Sequence, residues 1–234
     1  MQGTNMEVVA SSQISVPICS IAQKALDEDS MQTHHRSVQQ TTPTPGRTIG
    51  SISNIPGPIV FSDATLSPGP GGQPAIAGVG VFIQFGDDRR CSKLCISAIS
   101  PSATSAIQAE AFSLMLATQI AGALHLQHAT FLTDNAMLAA AVASQSMISA
   151  PGHWSIRPQL AYIAASSWFD PSRVYHVSRG CNFRAHHQAK LALKVQNVSF
   201  SFRCLGSCTD SCLNADVTAL SSILQCKLVY VRCC

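Results

Sequence analysis

Between Lys93 and Arg157 the chain carries two formal charges, Glu110 and Asp134, and between Arg47 and Asp87 it carries one, Asp63. All three are carboxylates, and each stands in an apolar setting: Asp63 in Ile59-Val60-Phe61-Ser62-Asp63-Ala64, Glu110 on an Ala-rich stretch of helical spacing, Asp134 at the end of Ala129-Thr130-Phe131-Leu132-Thr133. Burying a carboxylate without a partner is costly, and no Lys or Arg lies close in sequence to offset any of the three. Each has an ordinary local reading. Asp134-Asn135 suits a helix N-cap, Asp63 a turn before the following Pro/Gly cluster, and Glu110 a solvent face. Taken together they are hard oxygen ligands on a strand, a helix and a strand end, which is what a divalent-cation site requires. Magnesium favours a few carboxylates supplemented by water and phosphate oxygens, so the expected chemistry is phosphodiester hydrolysis on an open, polymeric substrate.

The shortage of charge is general. Only 12% of the 234 residues are charged, against roughly 25% in an average globular domain, while 46% are apolar, ample for one core with terminal tails. A net charge of +3 is too mild to announce a nucleic-acid or membrane protein by itself. Ala111 to Thr133 runs without a formal charge, close to a bilayer span in length, yet Thr118, Gln119, His125, Gln127, His128 and Thr130 interrupt it, and His128 to Leu132 reads as a strand. No membrane partner is expected. Without a basic, apolar and small-residue leader pattern at the start, the expectation is an intracellular protein, nuclear or cytoplasmic. Of the ten cysteines, Cys91-x3-Cys95 and Cys204-x3-Cys208-x3-Cys212 lack zinc-ligand spacing, so reduced and mostly buried thiols are expected. Cys233-Cys234 resembles a prenylation end, but Lys227 to Arg232 reads as a strand rather than a flexible tail.

Residues 1–55, rich in Ser, Thr, Gln and Pro, read as a low-complexity tail; 56–196 form the domain; 197–234 are an extension whose strand-like run Asn197 to Cys204 and apolar stretch Val217 to Val231 cannot be attached to a sheet by pattern alone. Within the domain, strands are expected at Ile59 to Ala64, Ala77 to Phe85 and Cys91 to Ile99, a meander joined by the Pro/Gly cluster Ser67 to Pro74 and the turn Asp87-Asp88-Arg89-Arg90. A helix follows from Ala103 to Leu126, with Glu110, Leu114, Ala117 and Ala121 on one stripe. Next come a strand Ala129 to Asp134, a helix capped by Asn135 and running to about Ser149, and a helix Ile156 to Trp168 after the Pro151-Gly152 break. A strand Ser172 to Ser178 and a last helix Asn182 to Val195 complete the domain. This alternation is α/β, with the fourth and fifth strands parallel through a helical crossover.

Four segments carry a resemblance. Phe61-Ser62-Asp63-Ala64-Thr65, Ala109-Glu110-Ala111-Phe112-Ser113-Leu114, Leu132-Thr133-Asp134-Asn135 and Cys181-Asn182-Phe183-Arg184-Ala185-His186-His187-Gln188-Ala189-Lys190-Leu191-Ala192 resemble, in order, the successive blocks of a ribonuclease H-like domain. The type is the plant one, similar to reverse transcriptase-associated domains of non-LTR retrotransposons and to retrotransposon-derived host proteins, and the likeness runs from about Ile59 to Leu193. It implies a five-stranded mixed sheet of order 3-2-1-4-5 flanked by helices, with the first three strands antiparallel. It also implies that Asp63, Glu110 and Asp134 bind the metal, Mg2+ or Mn2+, with Asp63 bridging two cations. A fourth residue of the site, commonly an Asp on the last helix, is His186 here; a neutral imidazole can ligate a metal but brings no negative charge.

On this resemblance the protein is a nucleic-acid-binding endonuclease, a hydrolase of the RNA strand in RNA/DNA hybrids acting through two metals about 3.5–4 Å apart. Arg173, Arg179, Arg184, Lys190 and Lys194, clustered without an intervening acid, are the expected phosphate contacts. A catalytically degenerate module that binds nucleic acid or a protein without cutting is the alternative, prompted by His186. Trp154 and Trp168 are expected in the core, and His125 and His128 at an edge.

Overall fold

A computed structural model describes residues 46–50, 52, 55–69, 75–85, 93–144, 154–195, 201–204 and 224–233, all within one compact unit, Thr41–Cys234. The expected tail up to residue 45, the charged turn 87–90, Cys91, Pro151-Gly152, Cys208 and Cys212 lie outside the described residues.

Alternation of apolar and small or polar residues builds the first sheet layer. Strands β1 (Ile59–Ser67), β2 (Ile76–Gln84) and β3 (Lys93–Ile99) form an antiparallel meander. In β2, Val79, Val81 and Ile83 point to one face, into a core shared with helices α1 (Ala106–Ala123), α2 (Ala136–Ala143) and α3 (Arg157–Ala164). The alternate positions Gly78, Gly80 and Phe82 face helix α4 (Phe183–Lys194). Both glycines are required by close approach: a Cβ on Gly80 would stand 2.1 Å from the Ala185 carbonyl oxygen, and one on Gly78 2.2 Å from that of Ala189. The buried small residues Ala185, Ala189 and Ala192 complete this contact, so α4 lies almost on the backbone of β2.

Strands β4 (Thr130–Thr133) and β5 (Val174–His176) add in parallel beside β1, as the α/β alternation predicts. The sheet thus contains the order 3-2-1-4-5, but it does not stop there. β7 (Lys227–Cys233) pairs antiparallel with β3, and β6 (Ser201–Cys204) pairs parallel with β7, giving seven strands among the described residues in the order β5-β4-β1-β2-β3-β7-β6. Five strands is therefore a correction: backbone pairing to β3 places the C-terminal strands in the same sheet. At the other edge the amide of Ile49 donates to the His176 carbonyl, and that of His176 to the Arg47 carbonyl.

Several expected elements are shorter. The helix from Ile156 to Trp168 divides into a 3-10 turn, Trp154–Ile156, and α3; the strand from Ser172 keeps only Val174–His176, preceded by a 3-10 turn at Pro171–Arg173. Helix α1 ends in a Schellman motif: the amide of Leu126 donates to the Ala121 carbonyl and that of His125 to Gly122, with His125 in the left-handed region at φ 51°. Neither tryptophan is core. Trp154 is 71% exposed and Trp168 42%, the indole of Trp168 lying flat enough on the helix that a Cβ at Gly122 would meet it at 2.6 Å. Cys95, Cys226 and Cys233 are buried, and burial pushes the Cys226 thiol up to about 12. Among the described residues no helix is long and apolar enough to cross a membrane.

Candidate metal centre

Parallel pairing of β1 with β4 runs from Ile59 opposite Thr130 to Ser62 opposite Thr133. One residue further on, β4 leaves the sheet at Asp134, because Asn135 caps α2 by accepting the Leu138 amide at 3.0 Å. β1 continues through Asp63 to Ser67, so at Asp63 the sheet has lost its neighbour on that side. Glu110 reaches this point from the first turns of α1, where Ser105 caps the helix by accepting the Gln108 amide at 3.3 Å. The stripe that begins at Glu110 continues through Leu114, Ala117 and Ala121, all buried, and that burial sets the helix rotation that turns Glu110 toward Asp63. Ligand oxygens of Asp63, Glu110 and Asp134 lie within 4.8 Å of one another.

Three carboxylates in so small a space repel one another, and burial adds to the cost of their charge. Desolvation, then the charge of Asp134, raises the Asp63 carboxyl above the ordinary 3.8. Desolvation, then the charge of Asp63, holds Glu110 well above the ordinary 4.5. One oxygen of Glu110, Oε2, is buried without a hydrogen-bond partner. A buried carboxylate oxygen with no donor, beside two further carboxylates, fits a divalent cation: hard oxygen donors, clustered negative charge and an unfilled coordination position. Asp63, Glu110 and Asp134 would hold the ion.

The last helix closes the site from the other face of the sheet. His186 Nδ1 lies 2.6 Å from Asp63 Oδ2. It is therefore brought to the cluster, engaged directly with the carboxylate. Arg179, 78% exposed, approaches Asp134 Oδ2 at 4.0 Å, a loose contact of small energetic weight. Arg184 lies over the Phe82 ring at 4.8 Å, and Lys190 and Lys194 are exposed along α4. Arg173 stands apart from them. Its Nη2 donates to the Pro56 carbonyl at 3.0 Å and to Thr130 Oγ1 at 2.9 Å, at the opposite end of β4 from Asp134, so its guanidinium is spent on joining chain segments.

One residue of the site escaped the sequence reading as a functional position. Asn182 stands at the N-cap position of α4, but its side chain makes no capping bond. It is fully buried, and its Nδ2 donates to the Ser62 carbonyl at 2.9 Å and to Asp134 Oδ1 at 3.3 Å. It thereby ties the two carboxylate-bearing strand ends to the helix that carries His186. The only available signal was its place in the block before His186, since its partners lie 120 and 48 residues away.

A family model described as reverse transcriptase-like matches residues 71–192, a span that includes Glu110, Asp134 and His186 and begins after Asp63. No curated protein matches the chain. Among solved structures the chain is similar to ribonuclease H1 from the halophilic archaeon Halobacterium salinarum, at 18% identity and a TM-score of 0.43 over 58% of this chain and 97% of that one. It is similar to the N-terminal ribonuclease H domain of rv2228c from Mycobacterium tuberculosis, at 20% identity and a TM-score of 0.44 over 60% and 99%. It is also similar to LC11-RNase H1 in complex with an RNA/DNA hybrid, at 21% identity and a TM-score of 0.44 over 61% and 99%.

Proposed function

The chain belongs to the reverse transcriptase-like family, and on that premise we propose that it is a divalent-metal-dependent endonuclease that hydrolyses the RNA strand of RNA/DNA hybrids. The observation that carries this reading is the convergence of Asp63, Glu110 and Asp134, from three elements, to within 4.8 Å. A bound Mg2+ or Mn2+ supplies Lewis acidity for phosphodiester hydrolysis. The chain's own part is positional. β1 and β4 hold Asp63 and Asp134 at a point where the sheet opens, α1 delivers Glu110, and Asn182 fixes the Asp134 carboxylate through Oδ1. His186 holds Asp63 Oδ2 and so orients that carboxylate. Arg179, in the turn before the helix that borders the site, and Arg184, Lys190 and Lys194 on that helix offer phosphate contacts.

The same His186 contact favours a second reading. An imidazole hydrogen-bonded to Asp63 Oδ2 competes for a carboxylate that would hold the metal, which suits a module that binds nucleic acid without cutting it. Incubating the protein with a labelled RNA/DNA hybrid in Mg2+ or Mn2+, beside Asp63→Asn and His186→Asp variants, separates the two. Cleavage by the unmodified protein that Asp63→Asn abolishes supports the nuclease. Cleavage only by His186→Asp, with a salt-dependent gel shift for the unmodified chain, supports the binding module.

A further inference from the structure

Helix α4 has two flanks on the same face of the sheet. Its β1 flank holds His186 against Asp63; its other flank overlooks β3 and the two C-terminal strands. Two adjoining cavities lie between the helix and these strands. One, of about 420 Å3, is bordered by Phe82, Lys93, Phe183, Arg184, His187 and Arg232. The other, of about 340 Å3, shares His187, Gln188 and Arg232 with it and extends to Leu191, Arg203 and Tyr230. Among the described residues, no carboxylate lines either cavity.

Strand register places these side chains in rows. Phe61, Phe82, Cys95, Arg232 and Arg203 are successive cross-strand partners from β1 to β6, and the neighbouring row runs Asp63, Gly80, Ser97, Tyr230, Ser201. Tyr230 is thus three strand spacings from Asp63, about 14 Å at roughly 4.8 Å per strand. Arg232 and Arg203 are direct cross-strand neighbours bordering one cavity. Arg184, over the rings of Phe82 and Phe183, continues the positive line around the first turn of α4, next to the residues that touch Asp63 and Asp134. Gln188 is anchored by the Ser97 hydroxyl to its Oε1 at 3.0 Å, which leaves its amide nitrogen beside His187.

We propose that the gap between α4 and strands β6–β7 is a track for a single-stranded stretch of nucleic acid, with Arg203 and Arg184 on phosphates and Phe183 and Tyr230 as stacking platforms. Basic groups interleaved with aromatics are the chemistry of single-strand binding, and base stacking is sequence-tolerant. The two cavities, at the low end of the ~300–1,000 Å3 small-ligand range, are of a size to take individual bases and phosphates. The track rests on the nucleic-acid reading above and is independent of cleavage.

The test is the fluorescence anisotropy of the full chain with labelled oligouridylate and oligothymidylate in EDTA, titrated over a salt series. The unmodified chain should bind, with affinity falling as salt rises. Arg203→Glu, at an exposed position, should weaken binding about tenfold and flatten the logarithmic salt slope by about 0.7 for each phosphate that is no longer neutralised. Arg203→Lys should restore most of that slope, and Tyr230→Leu should weaken binding about fivefold with the slope unchanged, as removal of a stacking ring at constant charge requires. RNA bound more tightly than DNA assigns the track to the RNA strand, and the reverse assigns it to the DNA strand. Arg203→Glu and Tyr230→Leu chains that remain folded by circular dichroism and bind both oligonucleotides like the unmodified chain would overturn the proposal. An Asp63-dependent cleavage that fails while Arg203-dependent binding persists would remove the nuclease reading and leave the track standing.

Discussion

The two ends of β4 are built to opposite rules. At the Thr130 end, the Arg173 guanidinium donates to the Pro56 carbonyl and to the Thr130 hydroxyl, and Asp170 accepts from both the amide and the hydroxyl of Ser172. Charge there is matched by neutral dipoles and joins three chain segments. Four residues later, at Asp134, three carboxylates crowd together and Glu110 Oε2 has no donor. Between the two ends lie the fully buried Phe131 and Leu132. The difference shows where the fold gains stability and where it gives some up: one end locks the strand into the sheet, and the other holds a repulsive cluster that a cation would relieve.

That contrast can be broken at either end. The largest effect belongs to Asp63→Asn: hybrid cleavage should fall by about 10³-fold, while the melting temperature in EDTA stays the same or rises because a repulsive charge is gone. A matching loss of apo stability would mean that the cluster is structural. Magnesium should act in the same place, adding about 2.7 kcal/mol at roughly 100 times its dissociation constant. Differential scanning calorimetry with and without the ion measures this, and Glu110→Gln should shrink the difference.

Arg173→Met probes the other end. Removing a charged donor from two bonds should cost about 1–3 kcal/mol in urea unfolding and leave cleavage of the hybrid at the unmodified rate. A selective loss of hybrid binding would return Arg173 to the phosphate contacts.

The pH dependence of the apo protein sharpens the contrast further. Asp63 and Glu110 are raised in the fold. Their contribution is therefore fully present below the unfolded values of 3.8 and 4.5 and is lost as pH rises through the raised folded values. In EDTA these groups should lower the melting temperature with increasing pH, and the magnesium-induced shift should grow over the same range. Asp63→Asn with Glu110→Gln should flatten both curves. The smallest effect is expected from Arg179→Ala, within about 0.5 kcal/mol of stability, because an exposed ion pair at 4.0 Å is weak.

Much of the architecture was legible locally. Alternation in Ile76–Gln84 and the Ala-rich stripe of α1 depend on neighbouring residues, and so did the expectation of parallel β4 and β5. The carboxylates stood out because their surroundings lack charge, a property of composition along the chain. Less could be read of the polar groups around them. Asn182 reads only as the start of a helix and is a brace; Arg173 resembles a phosphate contact and is a clamp; Trp168 has the size of a core residue and lies half-exposed on Gly122. In each case the partner is distant in sequence, and propensity carries no information about it.

The sequence by itself determined the identity of the three acids, the order of the elements that carry them and the small residues that let α4 approach β2. Only the tertiary structure decided that the acids meet within 4.8 Å, that His186 engages Asp63 across 123 residues, and that the last strands extend the sheet past α4. The reason is the range of the forces involved. Periodicity and capping act within a few residues, whereas register between β3 and β7, and the docking of α4 on two glycines, are set when the whole core packs.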